Sequence, residues 1–216
     1  MTTPERGFPD DEFATRCAAM QAAMAREGVD AMLFASEPEI RYFTGFLTPF
    51  WQSPTRPWFL VLPPEGKPVA VIPSIGGPLM RNCYAGEVIT WSSPAAEDDG
   101  ISLLRAVLRR YLGTTGRLGM MMGRETALRM PLADFLALKH SMQGTMDNIA
   151  LHDMTEAVQR IRMVKSHREI AKIRHICGLA CDVFEGLPEW VGAGIPLSGL
   201  FRRFKSEALD AGVDDV

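Results

Sequence analysis

The sequence predicts an α/β layered domain followed by an all-helical segment. Three observations carry this. Short apolar runs alternate with helical periodicities as far as residue 150 or so. From Met154 to Val216 every pattern is helical. A capping box at Ser166-His167-Arg168-Glu169 fixes one helix start in that second stretch, because Ser bonds forward and Glu back to the free amides of a first turn. Strands separated by helices argue for layers.

The elements follow in order. Phe13, Cys17, Met20 and Met24 form one apolar stripe of a helix, with Asp10 and Asp11 as N-cap and Gly28 as stop. Asp30 to Ala35 reads as a short buried strand, and Glu37 to Phe43 as a helical turn. Trp58 to Leu62 and Pro68 to Ile72 flank the turn Pro63-Pro64-Glu65-Gly66-Lys67 and should pair as a hairpin. Gly76-Gly77-Pro78 marks a turn at a helix start. Glu87 to Trp91 is a strand, and Asp98-Asp99-Gly100 caps a helix carrying Leu104, Val107, Leu108 and Tyr111. Arg117 to Met121 is a further strand, Pro131 opens a helix to His140, and a last short strand lies around Met146 to Ala150. Beyond the capping box, Ile170, Ile173, Cys177, Ala180 and Phe184 repeat at helical spacing, and Gly192 and Gly194 end that segment. Ser198 should cap a final helix with Leu200, Phe201, Phe204 and Leu209, stopping at Gly212. These terminal helices total about 60 residues, too few for a firm core of their own.

Composition narrows the function classes. The chain has 216 residues, 47% of them hydrophobic, which suits a substantial core and excludes wholesale disorder. A net charge of −3 gives no footprint for nucleic acid. No apolar run reaches the roughly 18 residues of a membrane helix. The first residues lack the layout of a signal peptide, so a cytoplasmic protein is expected. Cys17, Cys83, Cys177 and Cys181 form no C-x-x-C pair and read as small core residues in a reducing compartment.

The residues alone disclose no catalytic constellation. There is no H-E-x-x-H, no G-x-S-x-G elbow and no P-loop lysine. His167 and His175, with Glu169 between them, read as a solvated helix face. His152-Asp153 is the best lone candidate for a polar role, against the simpler reading of a hydrogen-bonded loop. The pairs Asp98-Asp99 and Asp214-Asp215 read as caps and solvated ends. One segment stands out: Arg41, Tyr42, Phe43, Phe46, Phe50, Trp51, Arg56 and Trp58 lie among Gly45, Pro49, Pro54 and Pro57. An aromatic, arginine-rich loop either packs on its own domain or meets a partner or substrate.

Three stretches together resemble a known family. Glu39-Ile40-Arg41-Tyr42-Phe43-Thr44-Gly45-Phe46 resembles the N-I-R-Y-L-T-G-F motif of the creatinase/prolidase N-terminal domain. Met163 to Arg174 resembles the helix that opens the catalytic domain of that family, with Lys165-Ser166, Glu169-Ile170 and Arg174 in place. Gly28-Val29-Asp30-Ala31 resembles its lead into the first strand. The match covers nearly the whole chain.

The resemblance implies a mixed-sheet N-terminal domain over residues 1–153, then the first helices of a truncated pita-bread domain over 154–216. It implies a parent enzyme of the Xaa-Pro dipeptidase or aminopeptidase kind, in which two divalent ions (Mn, Co or Zn) activate water for small peptide or amide substrates. The ligands of those ions, two Asp, one His and two Glu, are expected beyond Val216. No catalytic residue and no metal ligand is therefore assigned here, and the chain alone is expected to be inactive. Family dimers set this domain over the partner's active site, so a homodimer is expected. Arg41, Tyr42, Trp51, Arg56 and Trp58 become the substrate-gating or interface candidates, and the bulky insert Leu47 to Pro57 should narrow specificity towards small substrates. Glu39 stands where the motif has Asn. The alternatives are a same-fold non-peptidase, such as a creatinase-like amidinohydrolase or a lyase, and a free-standing non-catalytic dimerisation module.

Overall fold

A computed structural model describes residues 3–53, 56–95, 97–142 and 148–214. The chain divides into two compact units, Gly7–Met163 and a helical one made of Met1–Arg6 with Val164–Val216.

The larger unit is built on one six-stranded mixed sheet. Its strands are β1 (Ala31–Phe34), β2 (Phe59–Leu62), β3 (Val69–Pro73), β4 (Glu87–Trp91), β5 (Arg117–Met120) and β6 (Ala150–Asp153), in the order β4-β3-β2-β1-β5-β6. β2 runs antiparallel to both β1 and β3, the second pairing being the expected hairpin. The other neighbours are parallel. Helices α1 (Asp10–Glu27), α2 (Glu37–Thr44), α3 (Gly77–Met80), α4 (Ile101–Leu112), α5 (Leu132–Ser141) and α6 (Thr155–Met163) complete the unit.

β1, β2 and β3 are buried at every position because both sheet faces are covered. Alternate side chains point to opposite faces. Met32, Phe34, Leu60, Leu62 and Ile72 pack with Met20 and Met24 of α1 and with Met154 and Val158 at α6. Ala31, Leu33, Phe59, Val61 and Val71 pack instead with Leu104, Val107 and Leu108 of α4 and Leu138 of α5.

Some local expectations shift. The N-cap of α1 is Pro9, without a side-chain cap bond; Asp10 and Asp11 sit inside the first turn, where their charge favours the helix dipole. Gly28, in the left-handed region, does end α1. The last strand lies later than expected, at Ala150–Asp153, because pairing of Arg117 with Ala150 through Met120 with Asp153 sets its register. Met146, where it was expected to begin, lies outside the described residues. His152 is thus a strand residue, not a loop residue.

In the second unit, α7 (His167–Gly186) carries the expected capping box: Ser166 Oγ accepts from the Glu169 amide, and Glu169 Oε2 accepts from the Ser166 amide at 2.8 Å. α8 (Leu197–Asp210) is N-capped by Pro196, not Ser198. The extended Pro196 offers its carbonyl to the amides of Gly199 and Leu200, so Ser198 falls within the first turn. The rings of Phe184 and Phe204 meet at 5.1 Å. No residue of α7 is buried. Ile173, Phe184, Leu197, Phe201 and Leu209 are exposed, as are Cys177 and Cys181. The reading of all four cysteines as core residues therefore holds for Cys17 only; Cys83 is half-buried. Among the described residues no helix is long and apolar enough to cross a membrane.

Candidate functional site

The aromatic segment begins where the chain leaves β1. Ser36 starts α2, and the carboxylate of Glu39 turns back to accept from Ser36 Oγ. Its other oxygen pairs with Arg162 Nη1 of α6 at 2.8 Å. Glu39 is almost wholly buried, so the charge it brings in place of Asn needs this partner. Tyr42 lies against two guanidinium groups, with Arg16 Cζ at 4.2 Å and Arg162 Cζ at 5.7 Å from its ring. Buried Arg16 donates to the Tyr42 carbonyl at 2.9 Å and to Glu12 Oε1 at 3.2 Å. Tyr42 thereby joins α1, α2 and α6.

α2 ends at Gly45, whose φ of 78° favours glycine. A Cβ there would also come within 2.8 Å of Phe13 Cζ, so helix end and core are fitted together. Arg41, Tyr42 and Phe43 accordingly sit on the helical turn expected over Glu37 to Phe43, and the loop begins after it. Next comes a 3-10 turn, Pro49–Gln52, opened by Thr48 Oγ1 accepting from the Phe50 amide at 3.4 Å. Its Trp51 ring lies 5.6 Å from that of Trp58, and Phe46 lies 5.4 Å from Trp58. Trp58 is 1% and Trp51 8% exposed. A Cβ on Gly76 would fall 2.3 Å from the Trp58 ring, so glycine makes room for that indole. The indole N–H groups of both tryptophans find no acceptor among the described residues; the large ring area buried offsets that cost.

Of the five candidates, the structure brings Trp51 and Trp58 together in one buried cluster. It sets Tyr42 in the α1–α2–α6 junction. Arg56 turns to Ser93 Oγ at 2.7 Å and to Asp99 Oδ2 at 3.8 Å. Arg41 is exposed on α2, and Leu47 and Phe50 are exposed beyond it. Pro54, counted in the same segment, lies outside the described residues.

Sequence reasoning missed Arg16, Arg129 and Arg162. Arg16 stood at i+4 from Glu12 and beside Cys17 on the apolar stripe, a charge pair within a buried face. Arg162 stood in a basic run that reads as solvated surface. Arg129, which contacts Trp51, lies in a loop with no local pattern.

The polar candidates are held by structural bonds. His152 Nε2 lies 2.8 Å from Glu27 Oε2. Asp153 accepts from the Thr155 hydroxyl and amide and from the Met122 amide, and the Thr155 hydroxyl bond above all keeps its carboxyl below the usual range. For Asp98, burial raises the pKa, but bonds from the Ser102 side chain and from the amides of Ser102, Ile101 and Gly100 outweigh it and leave it lowered. Burial pushes the Cys17 thiol up to about 12, so it is no nucleophile. Among the described residues no three His, Cys, Asp or Glu converge.

Comparison with known proteins agrees with this geometry. Residues 16–164 match the model of the Creatinase/Prolidase N-terminal domain. The chain is 30% identical over 194 residues to the creatinase of Bacillus sp. (strain B-0618), covering 85% of this chain and 43% of that protein. It is 27% identical over 198 residues to the agropine synthesis cyclase of Rhizobium rhizogenes, covering 84% and 46%. The chain thus spans under half the length of the curated relatives it matches. A prolidase structure from Thermococcus sibiricus superposes with a TM-score of 0.78 at 23% identity, over 94% of this chain and 52% of that one, which shows the shared fold. The chain belongs to the creatinase/prolidase family, and residues 16–164 are its N-terminal domain.

Proposed function

We propose that this domain is the assembly and substrate-gating part of a metal-dependent Xaa-Pro peptidase-like hydrolase, working as a homodimer in the cytoplasm. One observation supports the reading best. After Trp51, Trp58 and Tyr42 are taken up by packing, the same segment still presents Arg41, Leu47 and Phe50 to solvent. An exposed arginine with exposed apolar side chains suits an interface or the rim of a substrate site. Trp51, Trp58, Tyr42 and Arg56 then shape that surface from beneath. The two divalent ions would be held by portions of the family enzyme outside these residues.

The test is turnover. The purified 216-residue chain, supplied with Mn, Co or Zn, should not cleave Xaa-Pro dipeptides; metal-dependent cleavage would refute the division of labour. The second reading, a same-fold non-peptidase, draws support from the two curated relatives, a creatinase and a cyclase by name. A holoenzyme that turns over a small amidino substrate but no Xaa-Pro dipeptide would establish it.

A further inference from the structure

The Pro49–Gln52 turn is too short to be stable by itself. At its two ends the Trp51 amide donates to the Thr48 carbonyl at 3.2 Å and the Ser53 amide to the Phe50 carbonyl at 3.1 Å. Short helical turns leave carbonyls unsatisfied at their C-terminal end. Here a side chain from far along the chain meets them. Arg129, in the stretch between β5 and α5, donates through Nη2 to the carbonyls of Trp51, at 3.1 Å, and of Ser53, with that of Phe50 at 3.5 Å. Its Cζ also lies 5.0 Å from the centroid of the Trp51 ring. Burial acts against the cation, and the charge of Glu37 at the start of α2 offsets this only in part.

We infer that Arg129 is the latch of this turn: its guanidinium holds the carbonyls of residues 50–53 and the Trp51 face together, and so keeps Trp51 closed over Trp58. Nη2 alone reaches the three carbonyls, Nη1 is buried with no partner among the described residues, and Cζ lies over the Trp51 ring. One guanidinium thus meets the carbonyls with one nitrogen and the indole with its body, which a compact ammonium reproduces only in part. With the latch engaged, Trp51 is buried and the aromatic cluster is covered. With it released, the turn loses these contacts to the Arg129 cation, and Trp51 can leave Trp58. The inference stands on the geometry of the turn, not on the function proposed above.

Hydrogen exchange on the intact chain tests it, comparing the wild type with Arg129→Ala and Arg129→Lys. Loss of bonds to a charged donor should raise exchange at the amides of residues 51 and 53 by about tenfold in Arg129→Ala. Exchange in β1 and β2 should change much less. Arg129→Lys, which keeps the charge but replaces the guanidinium lying over the indole, should give a smaller local rise, and it decides the matter if the alanine variant does not fold. Unchanged exchange at the turn, or a rise of the same size in β1 and β2, would overturn the latch.

Discussion

Helices α1 and α7 carry the same kind of apolar stripe and meet opposite fates. In α1, Phe13, Cys17, Met20 and Met24 are all buried, the last three in the cluster that packs on the sheet. In α7, Ile170, Ile173, Cys177, Ala180 and Phe184 repeat at the same kind of spacing, yet no residue of the helix is buried. Periodicity declares which side of a helix is apolar. It does not declare what that side packs on. For α1 the partner is written into the next elements, since β1, β2 and β3 are apolar at every position. For α7 the chain supplies α8, where the Phe184 and Phe204 rings meet and much of both apolar faces stays open.

That contrast can be broken or sharpened by substitution. The largest effect is expected at Trp58→Ala, which removes a fully buried indole and should cost about 3–5 kcal/mol of unfolding free energy in denaturant titrations. Met20→Ala, on the buried stripe of α1, should cost about 2–5 kcal/mol. A cost well under 1 kcal/mol there would mean that the α1 stripe is no better packed than that of α7.

Asp153→Asn should cost about 1 kcal/mol near neutral pH, because Asp153 secures the start of α6 through Thr155 and Met122. The sign of its pH dependence follows from the lowered carboxyl pKa. A carboxyl lowered in the folded state adds stability that is complete above its unfolded pKa and fades as pH falls through the folded value. The gap between wild type and variant should therefore close in acid, and a gap that widens there would contradict the bonding described. The smallest effect is expected at Phe184→Ala, within about 0.5 kcal/mol, since that ring is 58% exposed. A loss like that at Met20 would show that α7 has a firm partner.

The same distinction governs what the sequence disclosed. The alternation of strands and helices, the hairpin, and the capping box at Ser166 were legible, because each is set by residues close in the chain. β6 was misplaced because its position is set by pairing with β5, some thirty residues away. The aromatic segment was legible as unusual, with packing on its own domain as one of two open readings. Only the fold shows that Gly76 makes room for Trp58 and that Arg16 and Arg162 flank Tyr42. Arg129 was invisible for the same reason: its partners lie 76 to 79 residues away.

The central claim is that the exposed remainder of this segment, Arg41 with Leu47 and Phe50, is an assembly surface. Light scattering coupled to size-exclusion chromatography tests it most directly, on the wild type and on the double variant Arg41→Glu/Phe50→Glu. The account predicts a mass of two chains, each of 23.9 kDa, for the wild type and of one chain for the variant. A single-chain mass for the wild type, or a two-chain mass unchanged in the variant, would contradict it.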